Sequence, residues 1–352
     1  MPFADILRNQ PDREFTLCPG ANINTPCWQG LPVTGHVGIE LEVEGNNLPG
    51  AGNLMGVVDP QLNRVWLVKP DGSLRGGLEY VLSGPVETAS LRHMVNGLFE
   101  QFRRPGCTIN NSNRCSTHVH VNVSNLKVNE ITSVIALWCT LQSAFIRWHG
   151  EQRVANHFCL SSRDEESMLE AWLEYLRQGM IPGQGRRDGI KYTALNILPI
   201  FTQGSVEFRC GGAPDSEDKI VWWAKICNAI VRYAAENYKN PVEFGYAISE
   251  QGPETILRRV LELANLGPIT TDKIYAELTE DGNFFYDAMS DFRDIQPLLY
   301  SIPWDSLMDE INKENVPNPF AAPKKAKPRM IRLGDFEDGR IPPAPPRPRE
   351  EF

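Results

Sequence analysis

The stretch Gly38-Ile-Glu-Leu-Glu-Val-Glu-Gly45 alternates strictly between apolar and acidic residues. A period of two fits a β-strand, because side chains along a strand point to opposite faces. Ile39, Leu41 and Val43 form one face, and Glu40, Glu42 and Glu44 the other. The apolar face asks for burial. The acidic face sets carboxylates in a column roughly 7 Å apart. Like charges so placed repel unless water screens them or a cation sits among them, and hard divalent cations prefer such oxygen ligands. Glu40→Gln or Glu42→Gln is therefore expected to leave the metal-free protein as stable or more stable. Taken alone, the segment reads first as a solvated edge strand with a charged outer face. The rest of the chain shifts that reading.

The same period recurs. Gly77–Ser83 carries Glu79, with Glu87 eight residues further on, past the turn at Gly84-Pro85. Ser116–Val123 sets His118, His120 and Asn122 opposite Val119, Val121 and Val123. Ala194–Leu198 offers Asn196, and Ser205–Cys210 offers Glu207 and Arg209 opposite Val206 and Phe208. Singly, a His-x-His is a surface pair and a Glu-x-Arg a surface ion pair worth little. In one sheet, these strands would share a polar face with at least five carboxylates, two imidazoles and a guanidinium. Carboxylates with neutral imidazole suit divalent cations, and arginine suits bidentate binding of a carboxylate or phosphate.

Between the strands the apolar period changes to that of helices. Helices are expected at Glu87–Arg104, Asn129–Trp148, Asp164–Arg177, Asp215–Asn237, Pro253–Asn265, Thr271–Thr279 and Phe284–Phe292. A further short strand is expected at Val65–Val68, closed by the turn Asp71-Gly72-Ser73. Leu48–Asn63 and Gly179–Gly189 read as loops, the second holding Arg186 and Arg187. Strands and helices mixed in this way predict an α+β fold.

The chain has 352 residues, enough for one large domain or two ordinary ones. A net charge of −9 argues against a nonspecific nucleic-acid binder. Met1–Gln10 lacks a basic region followed by an apolar run, so no secretory signal is read there. The uncharged, largely apolar stretch Ile131–Ile146 is too short to span a bilayer and reads as a buried helix. The expected location is the cytoplasm, with no membrane partner. Eight scattered cysteines form no Cys-x-x-Cys pair, and Cys107, Cys115, His118 and His120 match no zinc-finger spacing. Free buried thiols are the expectation. Residues 1–34 carry five prolines and read as an irregular wrap, with one short helix near Ala4–Arg8. From Val316 onward proline, lysine and arginine dominate, which sets a domain at 1–315 against an extended or disordered tail at 316–352 that could engage a protein partner.

The ordered series Gly-Ile-Glu-Leu-Glu, Asp-Gly-Ser with Leu-Glu-Tyr, His-Val-His-Val, Leu-Asn-Ile and Val-Glu-Phe-Arg resembles the amidoligase family, relatives of glutamine synthetase and glutamate–cysteine ligase. It covers roughly Val37–Gly212. The resemblance implies a curved, largely antiparallel sheet of the glutamine synthetase catalytic type, its concave face holding ATP and Mg²⁺, or Mn²⁺, with helices on the convex side. It implies Glu40, Glu42, Glu79, Glu207 and His118 as metal ligands, with Glu87 as a further one at the glutamine synthetase spacing. His120 is then a contact to ATP phosphate, and Arg209 steadies the phosphorylated carboxylate. Arg186, Arg187, Lys191 and Asn196 are further nucleotide or substrate contacts. Glu44 has no firm counterpart in the family.

The function so implied is an ATP-dependent ligase that joins a small-molecule or peptide carboxylate to an amine through an acyl phosphate. The rival class is a non-catalytic structural or scaffolding protein of the same descent. A metal-dependent hydrolase is a third reading. Retention of the acids, both histidines and Arg209 favours an enzyme. The tail expectation has a direct check. Limited proteolysis is expected to trim the chain beyond Val316 and leave a stable core, whereas truncation there that unfolds the protein would move the boundary.

Overall fold

A computed structural model describes residues 28, 31, 35–50, 65–178, 189–238, 241–268 and 272–291. The expected tail, most of the N-terminal wrap, most of the loop 48–63, and both Arg186 and Arg187 lie outside these residues.

Strand β1 (His36–Asn46) is the spine of an eight-stranded antiparallel sheet. Along one side it pairs with β3 (Gly77–Leu82) and, nearer its start, β4 (Val86–Glu87). Along the other it pairs with β6 (Ser116–Asn122) and, nearer its end, β5 (Thr108–Asn110). The main order is β2-β3-β1-β6-β8-β7, with β2 at Trp66–Pro70, β7 at Leu195–Asn196 and β8 at Ser205–Gly211.

The alternation decides which side faces the helices. Ile39, Leu41, Val43, Tyr80, Val119, Val121, Val206 and Phe208 are buried in one apolar layer. Behind them lie α1 (Leu91–Phe102), α2 (Val128–Trp148), α3 (Ser167–Gln178) and α4 (Glu217–Asn237). Helix α4 runs behind β6, β1 and β8, and α2 packs beside it. Trp138 of α2 meets Phe208 of β8 edge-on at 5.1 Å between ring centroids, and Trp223 of α4 closes the cluster. From Ile131 to Ile146 α2 is buried on all sides, as expected of a helix apolar all round. Three of its hydroxyls are satisfied within the helix: Thr132, Ser133 and Thr140 donate to carbonyls four residues back. Among the described residues no helix is long and apolar enough to cross a membrane.

Several boundaries differ from the sequence reading. Glu87 belongs to a two-residue strand, and α1 starts only at Leu91. The strand expected at Ala194–Leu198 spans only Leu195–Asn196, paired antiparallel with β8, and Pro199 sits in a 3₁₀ turn, Leu198–Phe201, in the link between them. The separate helices expected at Thr271–Thr279 and Phe284–Phe292 form one helix, α7 (Asp272–Asp291). Its Gly282 costs about 1 kcal/mol in a helix interior, which packing on α2 offsets. Helices α5 (Pro241–Gln251) and α6 (Pro253–Leu263) complete the described elements.

Helix α7 docks on α2 through charge. Glu277, Glu280 and Asp281 share one helix face by their three- and four-residue spacing. Glu277 meets Arg147, Glu280 meets Arg163 at 2.7 Å, and Asp281 lies 3.0 Å from Arg163 Nε. Asp281 is fully buried and accepts hydrogen bonds from the Ser143 N–H and Oγ–H, each 2.9 Å. Asp281→Ala leaves these donors without an acceptor. A loss of about 3 kcal/mol is expected, read as a fall in the urea midpoint. An unchanged midpoint would show that α7 is held by its apolar face alone.

Candidate metal centre

The face of the sheet opposite the helices carries the polar residues, in register. Glu42 lies between Glu79 on β3 and Ser116 on β6. Glu40 lies between Val81 and His118. His120 is flanked by Gly38 and Glu207, and Glu207 by Asn196. Antiparallel pairing therefore turns alternation along single strands into rows across strands.

At the centre stands the His118 ring, 2% exposed. Its Nδ1 is 3.3 Å from Glu207 Oε1 and 3.5 Å from Glu40 Oε2. Its Nε2 is 2.7 Å from Ser116 Oγ. The Ser116 hydroxyl donates to Glu42 Oε2 in a short bond, so its oxygen is left to accept from His118. That chain places a proton on Nε2, so Nδ1 either donates to Glu40 when it too is protonated or, in the neutral ring, presents its lone pair to a cation between the two carboxylates. Such an arrangement asks for a positive charge at that point. Ligand atoms of Glu40, His118 and Glu207 lie within 4.8 Å of one another, a spacing at which three donors could hold one metal ion.

The neighbours tune this centre. Burial would raise the Glu40 carboxyl, but the imidazoles of His118 and His120 overcome it and hold Glu40 well below the ordinary carboxylate range. Burial likewise pulls His120 down, and the Glu40 carboxylate beside it lifts the imidazole above its usual value. His120 Nε2 is 3.3 Å from Glu40 Oε1 yet makes no hydrogen bond, while Nδ1 lies 3.2 Å from Ser205 Oγ. Burial pushes the Glu207 carboxyl up, but the Arg209 guanidinium and the His120 and His118 imidazoles together outweigh it and hold Glu207 below its ordinary value. The Arg209 side chain bonds Glu207 Oε1, and Asn196 Nδ2 donates to Oε2 at 2.6 Å. Arg209 Nε is buried and unpartnered.

A β-bulge helps place Arg209. Between the pairs Val119–Phe208 and Thr117–Gly211, β8 carries one residue more than β6. Arg153, 1% exposed, holds this irregular stretch from behind, donating to the carbonyls of Arg209 at 2.9 Å and Cys210 at 3.2 Å.

The structure thus gathers Glu40, Glu42, Glu79, His118, His120, Asn196, Glu207 and Arg209 onto one face. It does not gather Glu87, an exposed residue paired with His36, four positions along β1 from Glu40 and so roughly 13 Å away. Glu44 is taken up by the Arg75 N–H at 2.7 Å and serves the β2–β3 turn. Lys191 is exposed, with its Nζ over the Tyr192 ring. Sequence reasoning missed Ser116 and Ser205, whose signal was only that each lies two residues before a site residue on its own strand. It also missed Lys69, which meets Glu79 at 3.2 Å, and Trp28. Trp28 lies over Gly38, where a Cβ would come within 3.2 Å of the indole. Beside Glu40 and His120 is a cavity of about 240 Å³ walled by Trp28, Leu67, Val81 and Leu82, with Lys69 and Gln203 as its other polar members.

Residues 81–231 match the model of a family described as "Putative amidoligase enzyme". The match supports an amidoligase assignment. No curated protein matches the chain. The amidoligase match takes in His118, His120, Glu207 and Arg209, and begins after Glu40, Glu42 and Glu79. These three join the site through strand pairing.

The like-charge strain expected at Glu40 or Glu42 falls on Glu79. Burial, and then repulsion by Glu40, raises the Glu79 carboxyl from the ordinary 4.5 to about 7, against the pull of Lys69. As pH rises, the unfolded chain loses this proton first, so the group's contribution to stability falls between those two values. Glu79→Gln removes that slope. Relative to the parent, the variant should be on the order of 2 kcal/mol more stable at about pH 8 than at about pH 4, by urea denaturation without metal. An equal difference at both pH values would contradict it.

Proposed function

We propose that this protein is an ATP-dependent carboxylate–amine ligase working on the polar face of the sheet. The observation that carries the reading is His118 Nδ1 set between the carboxylates of Glu40 and Glu207. Two carboxylates and a neutral imidazole suit Mg²⁺ or Mn²⁺. Glu40, Glu207 and His118 would hold the cation, with Glu42 and Glu79 on the same face. When bound, Mg·ATP supplies a phosphoryl group that turns an unreactive carboxylate into an acyl phosphate with a good leaving group.

The chain's own groups have separable tasks. Arg209 keeps one nitrogen free of protein partners, so it offers a donor to oxyanion charge while its Nη1 remains on Glu207. His120 stands next to the cluster with Nε2 at 3.3 Å from Glu40 Oε1, suited to a phosphate oxygen bound beside that carboxylate. Asn196 and Ser116 position Glu207 and Glu42. The acidic face attracts an ammonium and accepts its proton, so that the amine can attack in neutral form. The apolar cavity beside Glu40 receives part of the substrate.

Glu40→Gln tests the reading. In the parent, thermal shift or calorimetry should show ATP binding that depends on Mg²⁺. The variant should lose at least about tenfold in that affinity, roughly 1.4 kcal/mol. Because two imidazoles favour its carboxylate, the variant should also be less stable without metal. A folded parent with no metal-dependent nucleotide binding would instead support the non-catalytic class.

A further inference from the structure

A second cavity lies on the other side of β6. Thr117 lines it, and its side chain points away from the face that carries Ser116 and His118. The cavity measures about 220 Å³ and opens between the end of α2, the β8–α4 loop and the start of α4. Trp148, Trp222, Trp223 and Ile220 form its apolar walls. Trp222 is one of two large hydrophobic residues left exposed among the described residues.

Two donors in this wall have no acceptor. His149, just past the end of α2, accepts the Gly212 N–H on Nδ1 at 3.1 Å. In the neutral ring the proton therefore sits on Nε2, which is buried and unpartnered. The ring is held neutral: burial, with Arg153 and Lys219 nearby, pushes it down to about 3. Trp223 is fully buried, and its Nε1–H is likewise unpartnered. The two rings meet edge to face with centroids 4.6 Å apart, so both donors belong to one cluster in the wall. Gly211 lets β8 pass close to the indole nitrogen, since a Cβ there would lie 2.8 Å from it. A buried donor without a partner is costly, and two in one cavity point to an acceptor from outside.

The charges nearby favour an anion. Arg153 is buried behind the cavity and bonds only backbone carbonyls, with no carboxylate partner among the described residues. The acids around the start of α4 are already matched. Asp215 pairs with Lys219, Glu217 with Arg103, and Asp218 with Arg92. We infer that this cavity is a binding site for a small aromatic carboxylate, separate from the candidate metal centre. Its ring would stack among the tryptophans, and its carboxylate would accept from His149 Nε2–H and Trp223 Nε1–H.

The test uses the full chain, ¹⁵N-labelled, with the indole N–H signal of Trp223 assigned through Trp223→Phe. Benzoate is the probe, and benzyl alcohol, which keeps the ring and lacks the carboxylate, is the control. Benzoate is expected to shift the Trp223 signal saturably, and benzyl alcohol to bind at least about tenfold more weakly. Should Trp223→Phe fail to fold, His149→Phe provides the second variant, expected to weaken benzoate binding by a similar factor. No response to millimolar benzoate, with water alone in the cavity, overturns the inference. Equal binding of the alcohol also overturns it, by removing the need for an anion.

Discussion

Glu40 and Glu207 face each other across one nitrogen of His118, and much of the polar face follows from keeping that arrangement intact. Each carboxylate has an outside support. Arg209 and Asn196 hold Glu207. His120 stands against Glu40. Ser116 couples His118 to Glu42. These supports come from β1, β6, β7 and β8, so the site exists only when all four strands are paired. The face remains short of positive charge, with four carboxylates at Glu40, Glu42, Glu79 and Glu207 against Arg209 and Lys69. An imbalance of that kind in a region mostly hidden from water is what a bound cation would relieve.

The apolar side makes this imbalance tolerable. A sheet whose rear face is filled by α2 and α4 does not need the front face for stability. Burying Trp138, Phe208 and Trp223 together contributes several kcal/mol. A folded scaffold can then hold a carboxyl such as Glu79 far from its ordinary titration range. Arg153 links the two sides: its guanidinium grips the backbone of the β8 bulge, whose front side chain is Arg209. The same bulge leads directly into Gly211 and Gly212, which border the tryptophan-lined cavity behind. The candidate metal centre and the rear cavity therefore share one irregular piece of strand while lying on opposite sides of the sheet.

Much of the site was legible before any coordinates, because a strand's alternation is written residue by residue. Gly38–Gly45, Ser116–Val123 and Ser205–Cys210 each announced a dry face and a polar face, and the antiparallel sheet keeps every one of those assignments. Periodicity likewise found α2 and α4 to within two residues at either end. It failed where the pattern was short or interrupted. Glu87 looked like the start of a helix or a late ligand, and pairing with His36 made it the end of the sheet. The helices read separately at Thr271–Thr279 and Phe284–Phe292 run as one through Gly282, packed on α2.

What the sequence by itself determined is the chemistry of each face: carboxylates, imidazoles and a guanidinium at period two, against valine, leucine and phenylalanine on alternate positions. That follows from local backbone geometry and needs no partner strand. Only the tertiary structure decided which of these groups meet. Register across β1, β6 and β8 put His118 between Glu40 and Glu207, gave Glu44 to a turn, and turned the strain of the acidic column onto Glu79. It also brought His149 and Trp223 together from two helices 74 positions apart in the numbering. Contacts between distant segments depend on how strands pair and helices pack, and no periodicity within one segment carries that information.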